Sequence, residues 1–212
     1  DERGKEILAI HNERFRGISN IEDKTKYQPN QPLSYSNVPR ISSYALLLRE
    51  RFPDMHILSP EEVVRYWNRI PERYSTYADT NTNSISVYPN EGSNENLRKR
   101  VLEILGRDKT ELPLAVSGLG VERAGNNYGF TFTKTEFTQG KEAPYLERDG
   151  WVKYEKGKIV SCNQDEEGAV RIWTPKNQSG LRGLFRDWSG RLNARVVDLL
   201  LSDGGGRVQV LY

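Results

Sequence analysis

The sequence predicts an α+β fold: a helix-rich N-terminal half, an antiparallel β-sheet in the C-terminal half, and one long amphipathic helix packed on that sheet before a final strand. Three observations carry this. Apolar residues recur at spacings of three and four through the first 70 residues. Short runs separated by Gly and Asn turns dominate residues 112–174. Leu181, Leu184, Phe185, Trp188, Leu192, Val196, Leu199 and Leu200 then return to helical spacing over about five turns. The 212 residues suit a single domain, with a helical subregion over 1–75 and a sheet-containing subregion over 76–212.

The elements follow in chain order. Residues 2–18 place Ile7, Leu8, Phe15 and Ile18 on one stripe, and Gly17 and Asn20 end the helix. Residues 21–40, with Pro29, Pro32 and Pro39 among polar residues, read as a loop. Tyr44, Leu47, Leu48 and Phe52 predict a helix that Pro53 stops. Ser59-Pro60-Glu61-Glu62 predicts a capping box with proline in the first turn, opening a helix with Val63, Tyr66, Trp67 and Ile70 on its stripe. Residues 84–88 read as a strand. Ser93 caps a helix carrying Leu97, Val101, Ile104 and Leu105, and Gly106 terminates it. Residues 112–121 change phase at Gly118, which predicts a bend or bulge there. Residues 123–129 and 155–157 read as hairpin turns, and residues 128–137, 169–174 and 207–212 as strands.

Composition bounds the function. The 31 basic and 29 acidic residues leave a net charge of +2, so bulk charge does not mark a nucleic-acid or membrane-surface protein. Only a local patch could do so. One cysteine, Cys162, forbids an internal disulfide and favours a reducing compartment. His11 and His56 lack the spacing of a helical metal site. No apolar run reaches the roughly 18 residues that a membrane span needs. The expected location is cytoplasmic, with a processed or trimmed N-terminus left open by Asp1.

Residues 129–141 read GFTFTKTEFTQGK. Extended, they place Phe130, Phe132, Lys134 and Glu136 on one face. Metal-dependent nucleases pair a carboxylate with Glu-x-Lys on a neighbouring strand, the carboxylates holding the metal and the lysine orienting water. Here the order is reversed, and Glu122 is the carboxylate that the hairpin could bring near. The simpler reading is an ion pair at a strand end.

Two groups combine bases with aromatics. Arg65, Arg69, Arg73 and Tyr74 flank Tyr66 and Trp67, a mixture that could stack bases and meet phosphates. Arg182, Arg186, Arg191 and Arg195 edge the predicted long helix, as arginine stems do along a buried stripe or a partner-binding groove. Residues 89–93 lack the glycines and lysine of a phosphate loop, and residues 117–120 have two glycines but no further glycine or lysine at the right offset. Residues 116–118 fail the nucleophile-elbow pattern, and the Asp203 turn does not match a calcium loop. Cys162 lacks an evident base.

The expectation is therefore a soluble, non-enzymatic macromolecular-binding protein. Its arginine and aromatic surfaces suit a protein or nucleic-acid partner. The alternative is a metal-dependent hydrolase or nuclease using Lys134, Glu136 and Glu122. No cofactor is evident, and a divalent metal belongs to that alternative alone.

Overall fold

A computed structural model describes residues 2–18, 21–22, 37–69, 77–85, 94–174, 180–187, 189, 191–194, 206–208 and 210–211. They form the expected α+β fold, built on a mainly antiparallel sheet.

Helix α1 (Glu2–Arg14) buries Ile7, Leu8 and His11. Helix α2 (Val38–Arg51) packs beside it, and together with strand β1 (His56–Ile57) they close a small core around Tyr44, Leu47, Met55 and Ile57. The loop expected over residues 21–40 ends earlier than predicted, because α2 begins at Val38. The Asn37 side chain accepts from the Arg40 amide at 3.0 Å, and Pro39 lies in the first turn. Polar residues and prolines read as loop also start helices. Residues 23–36 lie outside the described residues.

Helix α3 (Pro60–Arg65) carries the predicted capping box in full. The Glu62 amide donates to Ser59 Oγ at 3.2 Å, and the Ser59 amide donates to Glu62 Oε2 at 2.8 Å. The helix is shorter than expected, passing at Tyr66 into a 3-10 turn over Trp67–Arg69. Helix α4 (Glu95–Ile104) ends as predicted, at Gly106 with φ +68°. Its N-cap is Asn94, whose side chain instead donates to the Leu181 carbonyl; Ser93 lies outside the described residues.

Strand β2 (Tyr77–Ile85) sits at the centre of the main sheet. Strand β3 (Leu114–Ser117) pairs with it, and Gly118 then turns the chain out of that sheet. Gly118 has φ +72°, and a Cβ there would lie 2.2 Å from the Phe137 carbonyl oxygen. The predicted bend thus becomes a change of sheet. Strands β4 (Gly120–Arg123) and β5 (Phe130–Thr133) form a separate hairpin, joined through the predicted turn at residues 124–129. Strand β5 stops at Thr133, four residues short of the predicted end. There the Thr135 and Thr138 hydroxyls donate to the Gly118 carbonyl and fold residues 134–138 into a turn. Strand β6 (Gln139–Glu142) then pairs with β3, which the sequence did not suggest.

Strands β7 (Gly150–Glu155) and β8 (Lys158–Cys162) form the second predicted hairpin, with positive φ at Lys156 and Gly157. Strand β9 (Val170–Trp173) pairs with β7.

The predicted long helix is corrected where it is described. Leu181–Arg186 is strand β10, antiparallel to β2, and Leu192–Asn193 is strand β11, parallel to β9. Five of the six β10 residues are buried, so both faces meet protein and the alternation that identifies a strand is lost. Leu181, Leu184 and Phe185 mimic helical spacing for that reason. Asp187 then closes a tight loop, accepting from the Ser189 and Arg191 amides and from the Asn193 side chain. Residues 195–200 lie outside the described residues. Strands β12 (Gly206–Val208) and β13 (Val210–Leu211) pair with β2 and β1.

The sheet order is β6-β3-β2-β10-β11-β9-β7-β8, with β12 also on β2. One core covers the face carrying Leu114, Val116 and Leu181, under α4 and the β4–β5 hairpin. A second covers the opposite face, where Leu184, Leu192, Ile172 and Val152 meet Val63 and Val64 of α3.

Candidate functional site

The structure does not bring the carboxylate–lysine group together. Glu122 pairs with Thr131 across the β4–β5 hairpin, on its exposed side. Lys134 is three positions beyond Thr131, roughly 10 Å further along the chain. Glu136 lies beyond it in the turn that folds over Gly118. Lys134 and Glu136 are both exposed and no longer share a strand face with Phe130 and Phe132. Among the described residues, no group of three or more His, Cys, Asp or Glu could hold a metal ion.

The arginine groups are also redistributed. Arg182 and Arg186 are buried in β10 at 2% and 7% exposure. They do not edge a helix. The Arg186 guanidinium lies 4.7 Å from the Trp67 ring, and Trp67 packs against that core. Arg65 is exposed on α3, with its guanidinium near the rings of Tyr66 and Tyr154. The backbone of Arg69 lies in the 3-10 turn. Arg73, Tyr74 and Arg195 lie outside the described residues.

A different surface gathers aromatics and cations. Register places Trp151 opposite both Cys162 and Arg171, and Lys153 opposite Val160. Paired residues share a face, so these five side chains lie together, with Trp173 two positions beyond Arg171. The other face of the same strands carries Val152, Ile159, Val170 and Ile172 into the second core. Helix α3, which packs on β7 and β8, lies on that core side. Trp151, Val160 and Trp173 are half-buried and join none of the three cores formed by the described residues, and Arg171 is exposed.

The electrostatics differ across this face. At one end Lys153 Nζ bonds Glu166 Oε2 at 2.8 Å and approaches Glu155 Oε2 at 3.9 Å. The hydrogen bond from Lys153 to Glu166 holds the ammonium pKa above its usual range. The Asn163 amide, then Lys153, hold the Glu166 carboxyl below its own. Burial raises the Cys162 thiol, with Glu166 adding to the effect. At the other end the Arg191 guanidinium stacks over Trp173 at 4.1 Å. Among the described residues, neither Arg171 nor Arg191 has a carboxylate within ion-pair distance.

No known protein family, curated protein or solved structure matches this chain.

Three other places have simpler accounts. His11 is fully buried, stacked on Tyr44 at 4.2 Å, with Nε2 2.7 Å from Ser43 Oγ. The Ser43 hydroxyl donates to the Arg40 carbonyl, so the pair ties α1 to α2 out of reach of any substrate. His56 Nε2 lies 2.7 Å from Glu62 Oε1, adding to the α3 cap. Burial opposes ionisation of Glu62, yet the Ser59 amide and His56 hold its carboxyl below the usual range. A cleft of about 580 Å³ opens between Gly17 and the β4–β5 turn, where Arg123 donates to the Arg16 carbonyl at 2.6 Å. Among the described residues, no set of reactive side chains converges there.

The sequence reading missed the Trp151–Trp173 face. Its signal was present: Trp151, Lys153, Arg171 and Trp173 occupy alternate positions of two predicted strands. What one sequence lacked was the β7–β9 register that makes them neighbours.

Proposed function

We propose that this is a non-enzymatic binding protein that engages a macromolecular partner through the face of β9, β7 and β8. The observation that supports the reading is a sheet face carrying two half-buried tryptophans and two arginines that no described carboxylate neutralises. Aromatic and arginine side chains are the residues that most often anchor interfaces: the rings remove much apolar area from water at low entropic cost, and the guanidinium adds hydrogen bonds and stacking. The single unpaired Cys162 suits a reducing compartment, for which the cytoplasm is the proposed one. No described helix is long and apolar enough to cross a membrane.

The metal-dependent hydrolase reading keeps its sequence pattern at Lys134, Glu136 and Glu122 but gains no geometric support. The test is a panel titrated against intrinsic tryptophan fluorescence: single- and double-stranded oligonucleotides, heparin, and acidic and basic peptides. A response from at least one member that Trp151→Ala removes is expected. A ligand that binds equally well to Trp151→Ala and Arg171→Ala would place the site elsewhere and sink the reading.

A further inference from the structure

We infer that the ligand of this face is a single-stranded nucleic acid. One base stacks on Trp151, a neighbouring base stacks on the Arg191–Trp173 pair, and Arg171 meets the phosphate between them. The inference rests on the binding face proposed above and names its ligand class.

Three features favour this ligand. The first is spacing. Trp151 lies opposite Arg171, and Trp173 lies two positions along the same strand, which places the two tryptophans roughly 8 Å apart on adjacent strands. Two successive bases of an unstacked strand span that distance. A duplex keeps its base faces inside its own stack and offers nothing to either ring. The second is charge. A neutral sugar could use the rings but would leave two guanidiniums without an anion, whereas a phosphate backbone supplies one. Arginine planes also accept stacked bases, so the Arg191–Trp173 pair presents a platform of two layers. The third is direction. Lys153 and Lys158, the latter opposite Glu155, are matched by Glu155 and Glu166, so the β8 side of the face is close to neutral and the Arg171–Arg191 side is positive. The strand is therefore expected to cross the sheet from Trp151 on β7, past Arg171 on β9, to the Arg191–Trp173 pair.

The experiment is a fluorescence anisotropy titration of the full chain with labelled twelve-residue oligo-dT and oligo-U, at 50 and 200 mM salt. The same sequences as duplexes and heparin serve as comparisons. Binding of single strands over duplex is expected, with quenching of tryptophan emission. Trp151→Ala should weaken it about tenfold or more, the scale of one stacked base, and Trp151→Phe should recover most of that loss. Arg171→Ala should lower the dependence of log affinity on log salt by about 0.7, the value for one phosphate on a single strand. Lys5→Ala, on exposed α1, should change nothing. Unchanged melting of each variant separates lost contacts from lost folding. Single-strand binding insensitive to Trp151→Ala and Arg171→Ala overturns the inference. Binding of heparin or a peptide that these substitutions abolish, without oligonucleotide binding, overturns the ligand class and leaves the binding face standing. No binding by any member overturns both.

Discussion

At the scale of single residues, Gly118 and the Ser59–Glu62 cap show how much one position decides. Gly118 combines a positive φ with a carbonyl oxygen 2.2 Å from where a Cβ would stand. Gly118→Ala is therefore expected to cost more than the roughly 1–2 kcal/mol of the left-handed conformation alone. Gly125→Ala, with nothing within 4 Å, should stay within about 0.5 kcal/mol. Urea unfolding of both variants measures the difference. At the cap, Ser59→Ala should cost about 1 kcal/mol. The folded pKa of Glu62 lies below its unfolded value of about 4.3. Its contribution is complete above that value and is lost as pH falls through the folded pKa. Glu62→Gln should thus lose less stability than the parent chain between pH 6 and pH 3, which paired urea midpoints would reveal. Burial raises the Cys162 thiol, so alkylation at neutral pH should run slower than for a free cysteine. The cap and the bend were legible because each is local: a few adjacent residues contain the whole physical cause. The His11–Ser43 pair was not, since its partners stand on two helices that only the fold brings together.

At the scale of elements, β10 marks the limit of periodicity. A strand buried on both sides carries apolar residues without alternation, and Leu181, Leu184 and Phe185 then satisfy a helical template equally well. Gly183, inside the run, is a residue that disfavours a helix. The arginines misled for a related reason. On a helix they would flank a stripe, whereas on β10 Arg182 and Arg186 are buried in the sheet, Arg186 against Trp67 beside the second core. Deuterium exchange tests the assignment. Peptides covering Leu181–Arg186, with β2 on one side and β11 on the other, should exchange more slowly than those covering Lys158–Cys162 at the sheet end. The reverse order would contradict the strand. The β7–β8 hairpin, by contrast, was readable in full, because Lys156-Gly157 announces the turn and alternation survives where one face is less deeply buried.

At the scale of the whole molecule, two cores share one sheet. Phe132→Ala in the first and Leu146→Ala in the second remove side chains that are 0% and 1% exposed. Losses of about 3–5 and 2–5 kcal/mol are expected. Because the same strands back both cores, each variant should shift one common transition, with fluorescence and circular dichroism midpoints coinciding. Separate midpoints would mean that the cores melt independently. Little of this arrangement was legible, since pairing between distant strands leaves no mark on local pattern. The position of β2 has a consequence for synthesis. Its partner β3 follows within the next few dozen residues, but β10 emerges roughly 100 residues later, which at about 5–20 residues per second is a delay of roughly 5–20 s. Through that interval one edge of β2 waits on the ribosome with its amides and carbonyls unmatched. A chain released before Leu181 would carry that open edge away, without Leu184 and Leu192 to build the second core, as a template for the next unfinished copy.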